Sequence, residues 1–200
     1  MAERFESYLR HAAELVAAGD FVRAAGLERL AAQTLEALGS PPKLVAKLRA
    51  QRGERAMRQA DYPAAEHAFA AAIASLREAG VNGGRELFDV HQRLGLARSS
   101  QGADDRALAA FDEAITLAAA FGDAFFPVAY AHIARAESLR RLGRRADAET
   151  SLRSAIAIAE RAPIEGREKI VHAARAALDE LRPSRAAAPA PAGGAVVTLR

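Results

Sequence analysis

The chain has 200 residues, no Cys, and 28 Lys and Arg against 25 Asp and Glu, for a formal net charge of +3. Without thiols there are no disulfides, thiolate metal sites or Cys nucleophiles, and so small a net charge creates little long-range field for gathering polyanions. Roughly a quarter of the residues are Ala and β-branched residues are sparse, so the chain should be nearly all helix.

Helix pairs follow one another along the chain. The first pair covers 3–38, with Gly19 and Asp20 as a left-handed stop and the next N-cap. Gly39, Ser40, Pro41 and Pro42 separate it from a second pair over 41–79, whose inner turn is Asp61, Tyr62 and Pro63. The segment 79–84 carries three Gly in five residues and is expected to be the hinge of the chain. A third pair covers 85–121 and a fourth, after Gly122 and Asp123, covers 124–161. A last helix over about 165–182 sets Ile170, Val171, Ala174, Leu178 and Leu181 on one face, as a terminal cap would. Residues 183–200 are rich in Ala, Pro and Gly and end in Val196, Val197, Thr198, Leu199 and Arg200; the composition is that of a disordered linker closed by a strand-prone peptide.

One pattern runs through the four pairs: a small residue, then Ala, then a larger residue, then Ala. It reads Gly19, Ala24, Glu28, Ala31; Ala60, Ala65, Phe69, Ala72; Gly102, Ala107, Phe111, Ala114; and Gly143, Ala148, Leu152, Ala155. Its first Ala recurs at 24, 65, 107 and 148, in steps of 41, 42 and 41. A fixed period of this size marks stacked units joined by neighbour interfaces.

These residues resemble the tetratricopeptide repeat family, over about 4–162. The small position of the first helix falls on Ala12, Gly53, Gly95 and Ala136, Leu94-Gly95 is a full match, and Gly19-Asp20-Phe21 and Ala60-Asp61-Tyr62 match the turn. The period is longer than the family standard and resembles its subgroup with extended helices, familiar from bacterial regulators and kinesin light chains. His11, Arg52 and Arg135 stand where the family has Leu, and Glu28 replaces an aromatic residue. The resemblance implies an all-α, right-handed α-solenoid of four helix-turn-helix repeats with a C-terminal capping helix. Phe69, Phe111 and Leu152 are expected to fill the space beside the following repeat.

No catalytic constellation stands out. His91 and His132 occupy one register position, held by Tyr8 and Arg49 in the first two repeats, and read as packing residues, since no metal-ligand motif accompanies them. The glycines of 80–84 lack the Lys-Ser/Thr and preceding strand of a phosphate loop. Asp104 and Asp105 open a helix, where carboxylates complement the dipole. No enzyme activity, metal or cofactor is expected.

In the resembled family the first helices of the repeats line a groove that holds a peptide or a partner's helix. By register those positions are Glu6, Leu9, Arg10, Ala13 and Val16; Lys47, Gln51, Glu54 and Arg58; Asp89, Gln92, Arg93, Leu96 and Ser99; and Tyr130, Ile133, Glu137, Arg140 and Arg141. The candidate binding set is Arg10, Gln51, Arg58, Gln92, Arg93, Ser99, Tyr130, Arg140 and Arg141. Its Arg content suits an acidic segment or a chain terminus, with a merely solvated face as the competing reading. Phe121, Phe125, Phe126 and Tyr130 form an aromatic group read chiefly as packing. The expectation is a non-catalytic protein–protein interaction module (adaptor, scaffold or chaperone-like holder), with a ligand- or peptide-sensing regulatory domain acting on a separate effector chain as the alternative.

Nucleic-acid association is the weaker reading, because Asp and Glu are interleaved with Arg. No stretch approaches the roughly 18 uncharged apolar residues of a membrane span, and the first fifteen residues carry charges throughout with no apolar signal core, so no membrane contact and a cytoplasmic location are expected. The final residues 196–200 could reach back into the groove of their own chain or a neighbour and mediate self-association.

Overall fold

The computed structural model describes residues 1–120, 125–162 and 166–182, all helices and connecting turns. The helices are α1 (Ala2–Ala17), α2 (Phe21–Ala37), α3 (Pro42–Arg58), α4 (Tyr62–Glu78), α5 (Arg85–Ser100), α6 (Asp104–Ala118), α7 (Phe125–Arg141), α8 (Arg145–Arg161) and α9 (Arg167–Leu181). Phe121, Gly122, Asp123, the Phe125 side chain and the tail 183–200, on which several sequence expectations fall, lie outside the described residues. No helix among those described is long and apolar enough to cross a membrane.

The same backbone device closes each of the first four pairs. Gly19, Gly102 and Gly143 take φ of +80°, +73° and +73°, and Ala60 takes +57° at the equivalent position. The next amide then reaches back five residues: Asp20 N to Leu15 O, Asp61 N to Ala56 O, Ala103 N to Arg98 O and Arg144 N to Leu139 O, all at 2.9–3.0 Å. This bond satisfies a carbonyl that the helix end would leave orphaned. Asp20 and Asp61 add N-caps, accepting from the Arg23 and Ala64 amides at 3.1 Å.

Helices α1 and α2, α3 and α4, α5 and α6, and α7 and α8 make the most extensive pairwise contacts. Each even-numbered helix also meets the next odd one, and α1 meets α3, α5 meets α7 and α7 meets α9. The odd helices therefore form one layer and the even helices another. The apolar interior is a chain of clusters passed from pair to pair. The last of them is covered by α9, where Ile170, Ala174 and Leu181 are buried.

Phe69 and Phe111 pack within their own pairs: a Cβ built on Gly53 or Gly95 would lie 2.5 Å from the Phe69 or Phe111 ring. The glycines are there because the rings occupy the methyl position. Across the Gly-rich segment, expected to be the hinge, the two pairs are packed together. Val81 packs against a cluster that runs unbroken from Ala65, Phe69 and Ile73 to Leu87, Val90 and Leu94, whereas α2 meets α3 much less extensively than α4 meets α5.

Candidate interaction groove

Three odd-numbered helices shape an open trough of about 730 Å³. Helix α5 contributes Asp89, Gln92, Arg93 and Leu96, and α7 contributes Phe126, Tyr130, Ile133 and Glu137. These spacings of three and four residues set each group on one helix face. Helix α3 supplies Glu54 and Met57, while Pro127, Ala134 and Arg85 complete the wall. Tyr130 is 52% exposed and Leu96 38% exposed, so two large apolar side chains face water in the trough.

The charged rim neutralises itself. Arg93 is ion-paired with Glu54 across the α3–α5 joint, and Arg85 lies 3.5 Å from Asp89. Arg140 donates twice to Glu137, at 2.7 and 2.8 Å, and its hydrogen bond and charge hold that carboxyl below the usual range. Arg141 grips buried Asp104 at 2.6–3.1 Å and also donates to the Ser99 hydroxyl and carbonyl. The Ser138 hydroxyl donates to Ser99 at 3.2 Å. Hydrogen bonding by Arg141 holds the Asp104 carboxyl below the usual carboxylate range. Arg141 also lies 3.4 Å from Glu137, so the charge of these guanidiniums is matched within the chain.

Of the residues expected from the repeat register, Gln92, Arg93 and Tyr130 line the trough. Gln92 spends an amide proton on the Pro127 carbonyl, at 3.1 Å. Arg140 stands at the rim through Glu137, and Ser99 with Arg141 forms the polar network behind it. Gln51 is half-buried with its amide nitrogen unpartnered, and Arg10 and Arg58 lie outside the trough, both exposed. Leu9 and Val16, placed in the groove by register, are buried in the interior instead. Of the candidate Arg residues, Arg93, Arg140 and Arg141 are thus ion-paired within the chain, and the trough between them has an apolar floor. Met57, Phe126 and Pro127 belong to that floor, although the repeat register does not mark them for it. Helical spacing does mark Phe126, which precedes Tyr130 by four and Ile133 by seven residues.

Among the described residues no group of three or more His, Asp or Glu is arranged to hold a metal. His91 is buried with neither ring nitrogen hydrogen-bonded, and the Nδ1 of half-buried His132 is likewise unpartnered. Burial pushes both imidazoles below their ordinary range, toward the neutral form. Glu28 is the opposite case, a carboxyl 1% exposed whose burial raises it despite Arg55 bonding at 3.1 and 3.2 Å and Arg52 nearby.

The sequence matches no protein-family model and no curated protein. Among solved structures it is similar to the crystal structure of BtubC (BKLC) from P. vanneervenii, with a TM-score of 0.67 over 98% of this chain and 70% of that one, at 16% identity. The likeness is one of fold. It bears on the all-helical architecture, and function has to be argued from the site.

Proposed function

We propose that this chain is a non-catalytic protein–protein interaction module, an adaptor, scaffold or holder, with tetratricopeptide-like architecture. In this reading four helix-turn-helix repeats form a right-handed solenoid capped by α9, and the groove takes an apolar, largely uncharged segment of a partner. The recurrence of one turn geometry at Gly19, Ala60, Gly102 and Gly143 supports the repeat reading. The observation that carries the function is the trough itself: Leu96 and Tyr130 exposed on its floor, within a rim whose Arg residues are already matched by carboxylates. Burying a large apolar side chain is worth about 1.5–3 kcal/mol, so two such anchors can select a partner without any charge contribution. The acidic partner that the Arg content alone would suggest gives way here to an apolar one.

Selection of random displayed peptides on the full chain tests this. The expected winners share an uncharged stretch with two large apolar residues. In a Leu96→Asp/Tyr130→Asp variant of unchanged helicity their affinity should fall at least about tenfold, the equivalent of 1.4 kcal/mol. Enrichment of acidic peptides that bind the variant equally well would overturn the apolar-groove reading.

A further inference from the structure

The last helix delivers the rest of the chain to one end of the trough. Helix α9 packs on both α7 and α8, and Leu181 and Arg182 at its end line a hollow with Arg145 and Glu149 at the start of α8, just beyond the end of α7 at Arg141, where Glu137 forms the trough wall. The tail therefore leaves α9 beside the Glu137 end. From Glu137 to Phe126 the trough follows α7 for about 17 Å, at 1.5 Å per residue. Residues 183–195 can span at most about 43–47 Å, which covers that length with slack.

The chemistry of the tail matches the trough. Residues 186–199 carry no charge, and Val196, Val197 and Leu199 are the large apolar side chains among them. Val197 and Leu199 are two apart and share one side of an extended segment, the conformation that β-branched Val196, Val197 and Thr198 favour. An acidic or strongly basic tail would gain nothing from a rim whose charges cancel; an uncharged apolar one loses nothing by entering it.

Resting on the reading of the trough as an apolar-segment site, we infer that its resident occupant is the chain's own segment 196–199, which seats Val197 and Leu199 over Leu96, Tyr130 and Ile133. A partner segment must displace it. Tethering makes the contact intramolecular, with an effective concentration on the order of millimolar, so a weak internal ligand suffices to screen out weak external ones.

The chain has no Cys, so Thr198→Cys in the full-length protein gives a single site for a nitroxide label, on the side facing away from the trough. Nuclear magnetic resonance signals of Leu96, Tyr130 and Ile133 should broaden strongly while those of α1 and α2 do not. Adding Leu96→Asp, at an exposed position, should return Tyr130 and Ile133 to the α1 level. A mixture of isotope-labelled chain without nitroxide and unlabelled chain with it should show no broadening. Broadening that is uniform and weak, or that appears only in the mixture, would overturn the proposal, the latter pointing to exchange between copies. If the tail stays away from a trough that still selects apolar peptides, the tail is excluded and the groove stands; if the trough selects none, the groove itself fails.

Discussion

At Gly95 a methyl group has nowhere to go. The Cβ of an alanine would lie 2.5 Å from a Phe111 ring that is wholly buried, and a planar ring packed on all sides cannot give by the needed amount without shifting its neighbours. The register supplies the comparison: where the small position is Gly, as at 53 and 95, the partner is Phe69 or Phe111, and where it is Ala, as at 136, the partner is Leu152. Gly95→Ala should therefore destabilise the protein by about 1–2 kcal/mol, overpacking of roughly 1–3 kcal/mol partly offset by the better helix propensity of Ala. Adding Phe111→Leu should recover part of the loss, giving a favourable coupling in a double-mutant cycle of denaturant midpoints. Additive losses would mean that ring and glycine are not a matched pair. This pairing was half legible in the sequence. The small and large positions could be read from the period, but that each ring lies directly against the glycine of its own pair depended on the inclination of two helices.

Between elements, the cross-joint polar contacts recur near the repeat length. Lys47 bonds Glu6 across 41 residues at 2.6 Å, Arg93 meets Glu54 across 39, and Arg141 meets Asp104 across 37. This is why the helix boundaries were legible and the charge state of the groove was not. Helical periodicity and Gly stops act within a few residues, as do the pairs Arg140–Glu137 and Arg85–Asp89, whereas the carboxylates that hold Arg93 and Arg141 sit nearly one period away on another helix. The Arg141–Asp104 pair is the one of these with most to lose, because Asp104 is 7% exposed and its partner 35%. Removing one side of a buried pair costs about 3–5 kcal/mol, and partial exposure of Arg141 reduces the expectation for Arg141→Met to about 1–3 kcal/mol. Asp104→Asn in that background should restore part of it, by replacing an unpaired carboxylate with a neutral amide. Urea denaturation at neutral pH measures both. Acid gives a second check with a definite sign: Arg141 depresses the folded-state pKa of Asp104, so this stabilisation is present above the ordinary carboxylate range and fades as pH falls through the depressed value, and the gap between wild type and Arg141→Met should close with it.

Across the whole molecule, a row of pairs that touch only their neighbours is as stable as its weakest joint, and segments can open separately. Contact is least extensive between α2 and α3, with α1 also reaching α3, and an open cavity of about 630 Å³ lies there against Phe21, Val22, Arg52 and Arg55. Its cause is at residue 28. The other three pairs hold Phe69, Phe111 and Leu152 at this position, and here Glu28 is buried instead, raised by desolvation and incompletely compensated by Arg55. Replacing both members of a buried ion pair with well-packed apolar side chains is often neutral or stabilising by about 1–4 kcal/mol, and Glu28→Leu comes near that case because the Arg55 it leaves behind is 24% exposed and keeps its bond to Gln59 at 2.9 Å. Glu28→Leu should accordingly raise stability by about 1–2 kcal/mol and slow amide exchange in α1 and α2 toward the rates of α4 and α5. The pH dependence separates this from generic stabilisation. Because the folded Glu28 carboxyl has a raised pKa, it takes up a proton before the unfolded one as pH falls, so the wild type gains ground on acidification and the advantage of the Leu variant should shrink from neutral pH into the carboxylate range. A variant less stable than wild type at neutral pH, with faster exchange in α1 and α2, would show instead that the Glu28–Arg55 contact holds the first pair onto the second.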